Sequence, residues 1–126
     1  MKKLFFAAAL VVMTGINSIA APRIVLEDKK ENYVQSETGY TLHFKLVASG
    51  QEFVTIMEQV QSLSDRVTMN VSEGSGGAYD CIMVINHQNQ PEYAHKMLVA
   101  IGIEELEYKG NVEGLDAIIQ ILYSYL

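Results

Sequence analysis

The most reactive side chain in this chain is that of Cys81, its only cysteine. A thiol becomes a nucleophile when it is ionised and a base such as histidine lies beside it. Cys81 falls in the apolar run from Tyr79 to Ile85, which is typical of a central strand, and alternation would turn it toward the core. His43, on a neighbouring strand, would point to the opposite side. We therefore interpret Cys81 as an inert core residue, and we predict no catalytic residues and no enzyme activity.

Two sets of side chains could in principle hold a metal ion. His87, Glu92 and His95 offer nitrogen and oxygen ligands, but zinc or iron needs three or four that converge. Four methionines could join Cys81 as soft ligands for Cu(I), but all four fall on predicted core positions, where methionine is a common filler. They are Met57, Met69, Met83 and Met97. We predict no metal site and no cofactor.

Two further patterns have simpler explanations than chemistry. The glycine-rich segment Gly74–Gly77 precedes a predicted strand, whereas phosphate-binding loops precede a helix, so it is predicted to be a hairpin turn. The carboxylates of Glu104, Glu105 and Glu107 alternate along a predicted edge strand and imply no pocket. Charges of this kind discourage edge-to-edge aggregation.

Composition sets the size and class of the molecule. The chain has 126 residues, 49% hydrophobic and 19% charged, which suits one compact domain. Nine Lys and Arg residues face fifteen Asp and Glu residues, for a formal charge of −6. This acidic balance argues against nucleic acid or an anionic membrane surface as a partner.

The first twenty residues have the pattern of an export signal. Lys2 and Lys3 are followed by a fully apolar run, Leu4–Met13, and then by small residues that end at Ala20 and Ala21. We predict a signal peptide at residues 1–20 and a mature chain that begins at Ala21. The expected location is the bacterial periplasm or the outside of the cell, without stable membrane insertion after cleavage.

Periodicity predicts the elements of the mature chain. Residues 21–39 are rich in charge and are interpreted as a tether, with an edge strand at most at its start. Strict alternation from Tyr40 predicts a half-buried strand. Ser49, with Glu52 three residues later, predicts a capping box at the start of a helix whose apolar stripe ends at Leu63.

The second half repeats this pattern. Residues 66–72 and 79–85 predict two strands of a hairpin, Pro91 and Gly102 bracket a second helix, and residues 103–108 predict a short acidic edge strand. A last helix is expected from about Val112 to the C-terminus. The order predicts an α+β fold over residues 40–109, a ferredoxin-like βαββαβ sandwich. Its four-stranded antiparallel sheet would carry two helices on one face, and residues 110–126 would pack on the domain or on a partner.

This order and these lengths resemble the heavy-metal-associated domain of small copper chaperones and metal-pumping ATPases. In that family a Cys-x-x-Cys pair lies between the first strand and the first helix. The corresponding loop here, Val47-Ala48-Ser49-Gly50-Gln51, contains no sulfur. The resemblance thus implies the fold and argues against the family's metal-carrying activity.

What remains is an interaction surface. If Cys81 faces the helices, Ile82 and Val84 face away, beside His43 and Lys45 on the next strand, and such an apolar centre requires a cover. In the terminal helix, Ile121, Tyr123 and Tyr125 would be available for another chain, including a second copy in a homodimer. The leading hypothesis is an exported, non-enzymatic module that binds an unknown protein or small ligand. The alternative is a periplasmic metal-handling protein with non-standard Met, His or Cys ligands.

Overall fold

The computed structural model describes residues 22–74, 78–86 and 91–126. The predicted signal peptide at residues 1–20, the predicted mature N-terminus, residues 75–77 of the glycine-rich turn, and His87 of the candidate metal set lie outside these ranges. Among the described residues, no helix is both long enough and apolar enough to cross a membrane.

The described residues form an α+β structure, as the sequence predicts. In chain order the elements are β1 (Arg23–Leu26), β2 (Tyr33–Gln35), β3 (Tyr40–Val47), α1 (Gly50–Ser62), β4 (Val67–Glu73), β5 (Ala78–Ile85), α2 (Pro91–Ala100), β6 (Glu105–Tyr108), β7 (Asn111–Gly114) and α3 (Ile118–Ser124). Short 3-10 turns precede β2 and α3.

The sheet is larger than the predicted one. It has seven strands in the order β4-β5-β3-β1-β6-β7, and β2 also pairs with β3. All pairs are antiparallel except β1 with β6, which is parallel. The predicted four-stranded antiparallel sheet is therefore wrong: β1 is an inner strand where at most an edge strand was expected, and β2 and β7 lie in segments where no strand was predicted.

The segment predicted to be a tether contains an inner strand. β1 lies between β3 and β6, and its Ile24 and Leu26 are 0% and 1% exposed. β1 pairs with the end of β3 at Val47, whereas β2 pairs with the start of β3 at Tyr40. The charged residues that dominate the composition of this segment lie mainly in the connection between the two strands. The segment as a whole was therefore interpreted as a tether, although it contains a short apolar strand.

The acidic strand β6 is not an edge strand, because β7 pairs with its outer side. Tyr108 pairs with Asn111 across a two-residue turn in which Lys109 and Gly110 both have positive φ angles, 53° and 81°. Such a turn closes a tight hairpin. The chain therefore returns along β6 before the last helix begins at Ile118, well after the predicted start at Val112.

The capping box that positions α1 is confirmed. The Glu52 backbone N–H donates to Ser49 Oγ over 3.1 Å, and the Ser49 N–H donates to Glu52 Oε1 over 2.8 Å. Helix α2 begins at Pro91 as predicted, and Gly102, with φ 105°, follows its end. Strands β4 and β5 form the predicted hairpin pair.

One hydrophobic core lies between the sheet and the helices. Helix α3 packs against α2 and buries Ile118 and Leu122 in this core, both 0% exposed. The terminal helix thus extends the helix layer. The opposite face of the sheet keeps exposed side chains, and we call it the open face.

Candidate functional site

The predicted surface residues of the sheet all lie on the open face. Ile82 of β5 lies opposite His43 of β3, and Val84 lies opposite Thr41 in the same pair of strands. His43 and Lys45 are exposed, Ile82 is 39% exposed and Val84 is half-buried. Alternation positions them, because the residues between them on both strands turn toward the helices.

The open face is concave, and its depression has a volume of about 370 Å³. We call this depression the open-face groove. Four strands and the β1–β2 connection contribute to it. Its lining includes Val25, Glu27, Asn32, His43, Lys45, Asn70, Ser72, Asp80 and Ile82.

Both signs of charge meet in the open-face groove. Lys45 lies between Asp80 of β5 and Val25 of β1 in the register of the sheet. In the described part of the chain, neither Lys45 nor Asp80 forms an ion pair within 4 Å. Beside the apolar side chains of Val25 and Ile82, the groove therefore presents an ammonium group and a carboxylate that lie opposite each other in register.

The β1–β2 connection forms one wall of the groove. Asn32 is 8% exposed, and its Nδ2 donates to the carbonyl oxygen of Glu27 over 3.2 Å. Glu27 in turn pairs with Lys29, Oε1 to Nζ, over 3.3 Å. Both contacts lie within the β1–β2 connection. They hold this connection in place as the wall of the groove next to β1.

The groove includes the three residue types of a serine-hydrolase triad without their geometry. His43 is on β3, Asp80 on β5 and Ser72 on β4. Because neighbouring strands are about 4.8 Å apart, His43 and Ser72, two strands apart, are separated by roughly 10 Å. A nucleophile and its base must lie within hydrogen-bond reach. This arrangement can bind a ligand but does not activate Ser72.

Cys81 lies on the other face, as expected, and is 0% exposed. Burial raises the pKa of its thiol to about 12, and the neighbouring Asp80 carboxylate acts in the same direction. The sulfur lies 3.8 Å from the carbonyl oxygen of Tyr79. A protonated, buried thiol is a poor nucleophile and a poor metal ligand.

The candidate metal ligands are dispersed. Met83 and Met97 are buried in the core, Met69 is half-buried against it, and Met57 is half-buried on α1. Glu92 is occupied by another group, since the Tyr123 hydroxyl donates to its two carboxylate oxygens over 2.6 and 2.8 Å. Within the ranges that the structure describes, no three His, Cys, Asp or Glu residues are placed to hold a metal ion.

The terminal-helix residues do not join the open-face groove. Ile121 is half-buried against the core, and Tyr123 is 45% exposed while its hydroxyl binds Glu92 of α2. The Tyr125 hydroxyl lies 3.4 Å from that of Tyr108 and 3.5 Å from Asp28 Oδ1. These side chains are already engaged with their own domain, and they form a surface separate from the sheet residues.

Two stacked tyrosine side chains are buried in the core. The rings of Tyr33 and Tyr40 stack 4.3 Å apart, and both hydroxyls are buried without a hydrogen-bond partner among the described residues. Burial raises the pKa of both phenols. Because both rings belong to the helix side of the sheet, they offer no open site.

Part of the groove was not predicted from the sequence. Val25, Glu27 and Asn32 lie in the segment interpreted as a tether, and Asp80 interrupts an otherwise apolar strand. The apolar triplet Ile24-Val25-Leu26 was the available signal for β1. No sequence pattern indicated that β1 would lie beside β3.

Comparison of the chain with protein-family models, with curated proteins and with solved structures found no match.

Proposed function

We propose that this protein is an exported, non-enzymatic binding module and that the open-face groove is its binding site. The observation that carries the proposal is the groove itself, a depression of about 370 Å³ that gathers side chains from four strands. This volume falls in the range of small-molecule sites. The exported location rests on the pattern of residues 1–20.

The lining of the groove favours a small ligand that carries both an acidic and an amino group. Lys45 would attract an anionic group, and Asp80, directly opposite in register, would attract a cationic group. Charge-assisted hydrogen bonds of this kind are stronger than neutral ones. Val25 and Ile82 would contact an aliphatic part, so amino acids and the ends of short peptides have suitable chemistry.

The architecture of this module is, we propose, a widened ferredoxin-like plan. The order β3-α1-β4-β5-α2-β6 supports this, with β1 inserted between β3 and β6. The insertion contributes Val25 to the groove and places the β1–β2 connection beside it. The segment that departs from the plan thereby provides part of the proposed site.

Nuclear magnetic resonance titration of the mature chain from Ala21 tests this function. The probes are free amino acids, dipeptides, dicarboxylates, aliphatic amines and neutral alcohols. We expect amino acids or dipeptides to shift the amide signals of His43, Lys45 and Asp80. Removing the ammonium group in Lys45→Ala should weaken this binding about tenfold, because a hydrogen bond to a charged group is lost.

Lys96→Ala is the matched control, because Lys96 is exposed on α2, in the helix layer. This variant should bind as the unmodified chain does. Shifts confined to residues outside the groove, or no shifts with any of these probes, would contradict the proposed function.

A further inference from the structure

Strand β4 forms an outer edge of the sheet that lacks the usual protection. Its seven residues, Val67–Glu73, contain no lysine and no proline, and their only charge is at the last position. The register with β5 runs from Val67 to Glu73 without a bulge. Natural proteins usually blunt an exposed edge with one of these features, because its unpaired backbone groups can pair with another chain.

The opposite edge differs in length and in the position of its charge. Strand β7 is only four residues long, carries Glu113 inside it and ends at Gly114. A short, charged strand is a poor template for pairing. The comparison singles out β4 as the edge suited to accept another strand.

Hydrogen bonds at both ends of the β4–β5 pair show which backbone groups point outward. The Asn86 N–H donates to the Arg66 carbonyl over 2.7 Å, and the Gly74 N–H donates to the Ala78 carbonyl over 2.9 Å. In an antiparallel pair these bonds occur at every second residue, so even-numbered residues of β4 bond to β5. The N–H and C=O groups of odd-numbered residues therefore point away from the sheet. The free ones are those of Met69, Val71 and Glu73, because the Val67 N–H already donates to the Leu63 carbonyl over 2.9 Å and Val67 is 0% exposed.

The side chains of β4 are also incompletely covered. On the helix side, Met69 and Val71 are half-buried, whereas their partners in register, Met83 and Cys81, are fully buried. The helix layer thus leaves apolar surface along this edge. On the open face the exposed side chains of β4 are uncharged. They are Thr68, Asn70 and Ser72.

We propose that β4 pairs antiparallel with β4 of a second copy of this chain, about a two-fold axis at Asn70. This register places Met69 of each copy opposite Val71 of the other. Met69 and Val71 of each strand then fall in hydrogen-bonded pairs on both sides of the axis, with no like charges opposite one another. Such an interface is isologous, as in most homodimers, and the two sheets become one.

A second copy fits this edge better than an unrelated peptide because the pattern is self-complementary. A two-fold axis places the central residue of the strand opposite itself, so a charge there would repel its own copy. The centre is instead Asn70, a neutral residue. In the proposed register the Asn70 pair is not hydrogen-bonded through its backbone, and the Cα atoms of such pairs are about 4.5 Å apart.

Sedimentation equilibrium of the mature chain tests the dimer. We expect a dimer for the unmodified chain and monomers for Asn70→Lys and for Asn70→Glu, since each puts like charges together at the axis. An equimolar mixture of the two variants should dimerise again, because opposite charges then meet. Glu113→Lys, a charge change on the β7 edge, is the control and should remain dimeric.

Circular dichroism checks that each variant is folded. A monomeric unmodified chain at its highest soluble concentration would overturn the proposal, as would Asn70 variants that remain dimeric. The readout is association rather than ligand binding. Failure of the dimer is therefore distinguishable from failure of the open-face groove, which the Lys45 and Asp80 amide signals report.

Discussion

The two faces of the sheet use the same strands in opposite ways. Along β3, Leu42 and Phe44 are 0% and 3% exposed on the helix side, while His43 and Lys45 between and beyond them are exposed on the open face. Cys81 and Ile82 of β5 show the same contrast. The comparison shows that the hydrophobic core depends on one face, so the side chains of the other are available for binding.

The contrast is strengthened by the position of the terminal helix. Helix α3 joins α2, and its buried residues Ile118 and Leu122 complete the same core. A helix with so many apolar residues could have covered Ile82 and Val84. Because it lies on the helix side instead, α3 does not cover the open-face groove.

The largest expected effect comes from changing β1, whose adjacent residues belong to different faces. Ile24→Thr removes apolar volume and places a hydroxyl in a fully buried position, so we expect a loss of about 2 to 3 kcal/mol in the free energy of unfolding. Val25→Thr makes a similar change at a half-buried position that lines the groove, and it should cost less than about 1 kcal/mol. Urea denaturation of both variants measures this difference.

Equal losses at Ile24 and Val25 would mean that β1 is not an inner strand with one buried face. Small losses at both would restore the interpretation of residues 21–39 as a tether.

A smaller effect is expected from the pH dependence of Cys81. Its thiol has an ordinary pKa of 9.0, and burial raises the pKa to about 12 in the folded protein. Between these values the unfolded chain releases a proton that the folded chain retains, so the stability contributed by the neutral thiol is lost as pH rises from 9 toward 12. In Cys81→Ala this part of the decline should disappear, and denaturant unfolding at pH 7 to 10.5 measures it.

A thiol-specific reagent gives an independent check of the two faces. Cys81 in the unmodified chain should react only as fast as the protein opens. Ile82→Cys, made in the Cys81→Ala background, should react readily, because that position is 39% exposed. Equal reaction rates at the two positions would contradict the assignment of faces.

The smallest effect on stability is expected on the open face. His43→Ala and Lys45→Ala remove exposed side chains, so each should change the free energy of unfolding by less than about 0.5 kcal/mol. Ile24→Thr serves as the destabilised reference in the same denaturation series. A large loss from either alanine variant would show that the open face supports the fold rather than a ligand.

Local patterns predicted the elements whose signals lie within a few residues. Ser49 and Glu52 satisfy each other across one turn, and Pro91 is suited to the first turn of a helix, so both helix starts follow from nearby residues. Alternation along β5 likewise assigns Cys81 and Ile82 to opposite faces of the sheet. Periodicity is a local property, and these faces required nothing more.

The position of β1 depended on contacts distant in sequence. Ile24 pairs with Leu46 on one side and with Leu106 on the other, and neither partner can be identified from the residues around Ile24. The same holds for the groove, where Glu27 and Asn32 meet Lys45 and Asp80 only after β1 has taken its place beside β3. The sequence by itself determined which residues alternate, where α1 and α2 begin and which side chains of β3 and β5 share a face, because these follow from backbone periodicity and capping. Only the tertiary structure decided which strands became neighbours and which face α3 covered, because those choices depend on the burial of apolar surface summed over the whole chain.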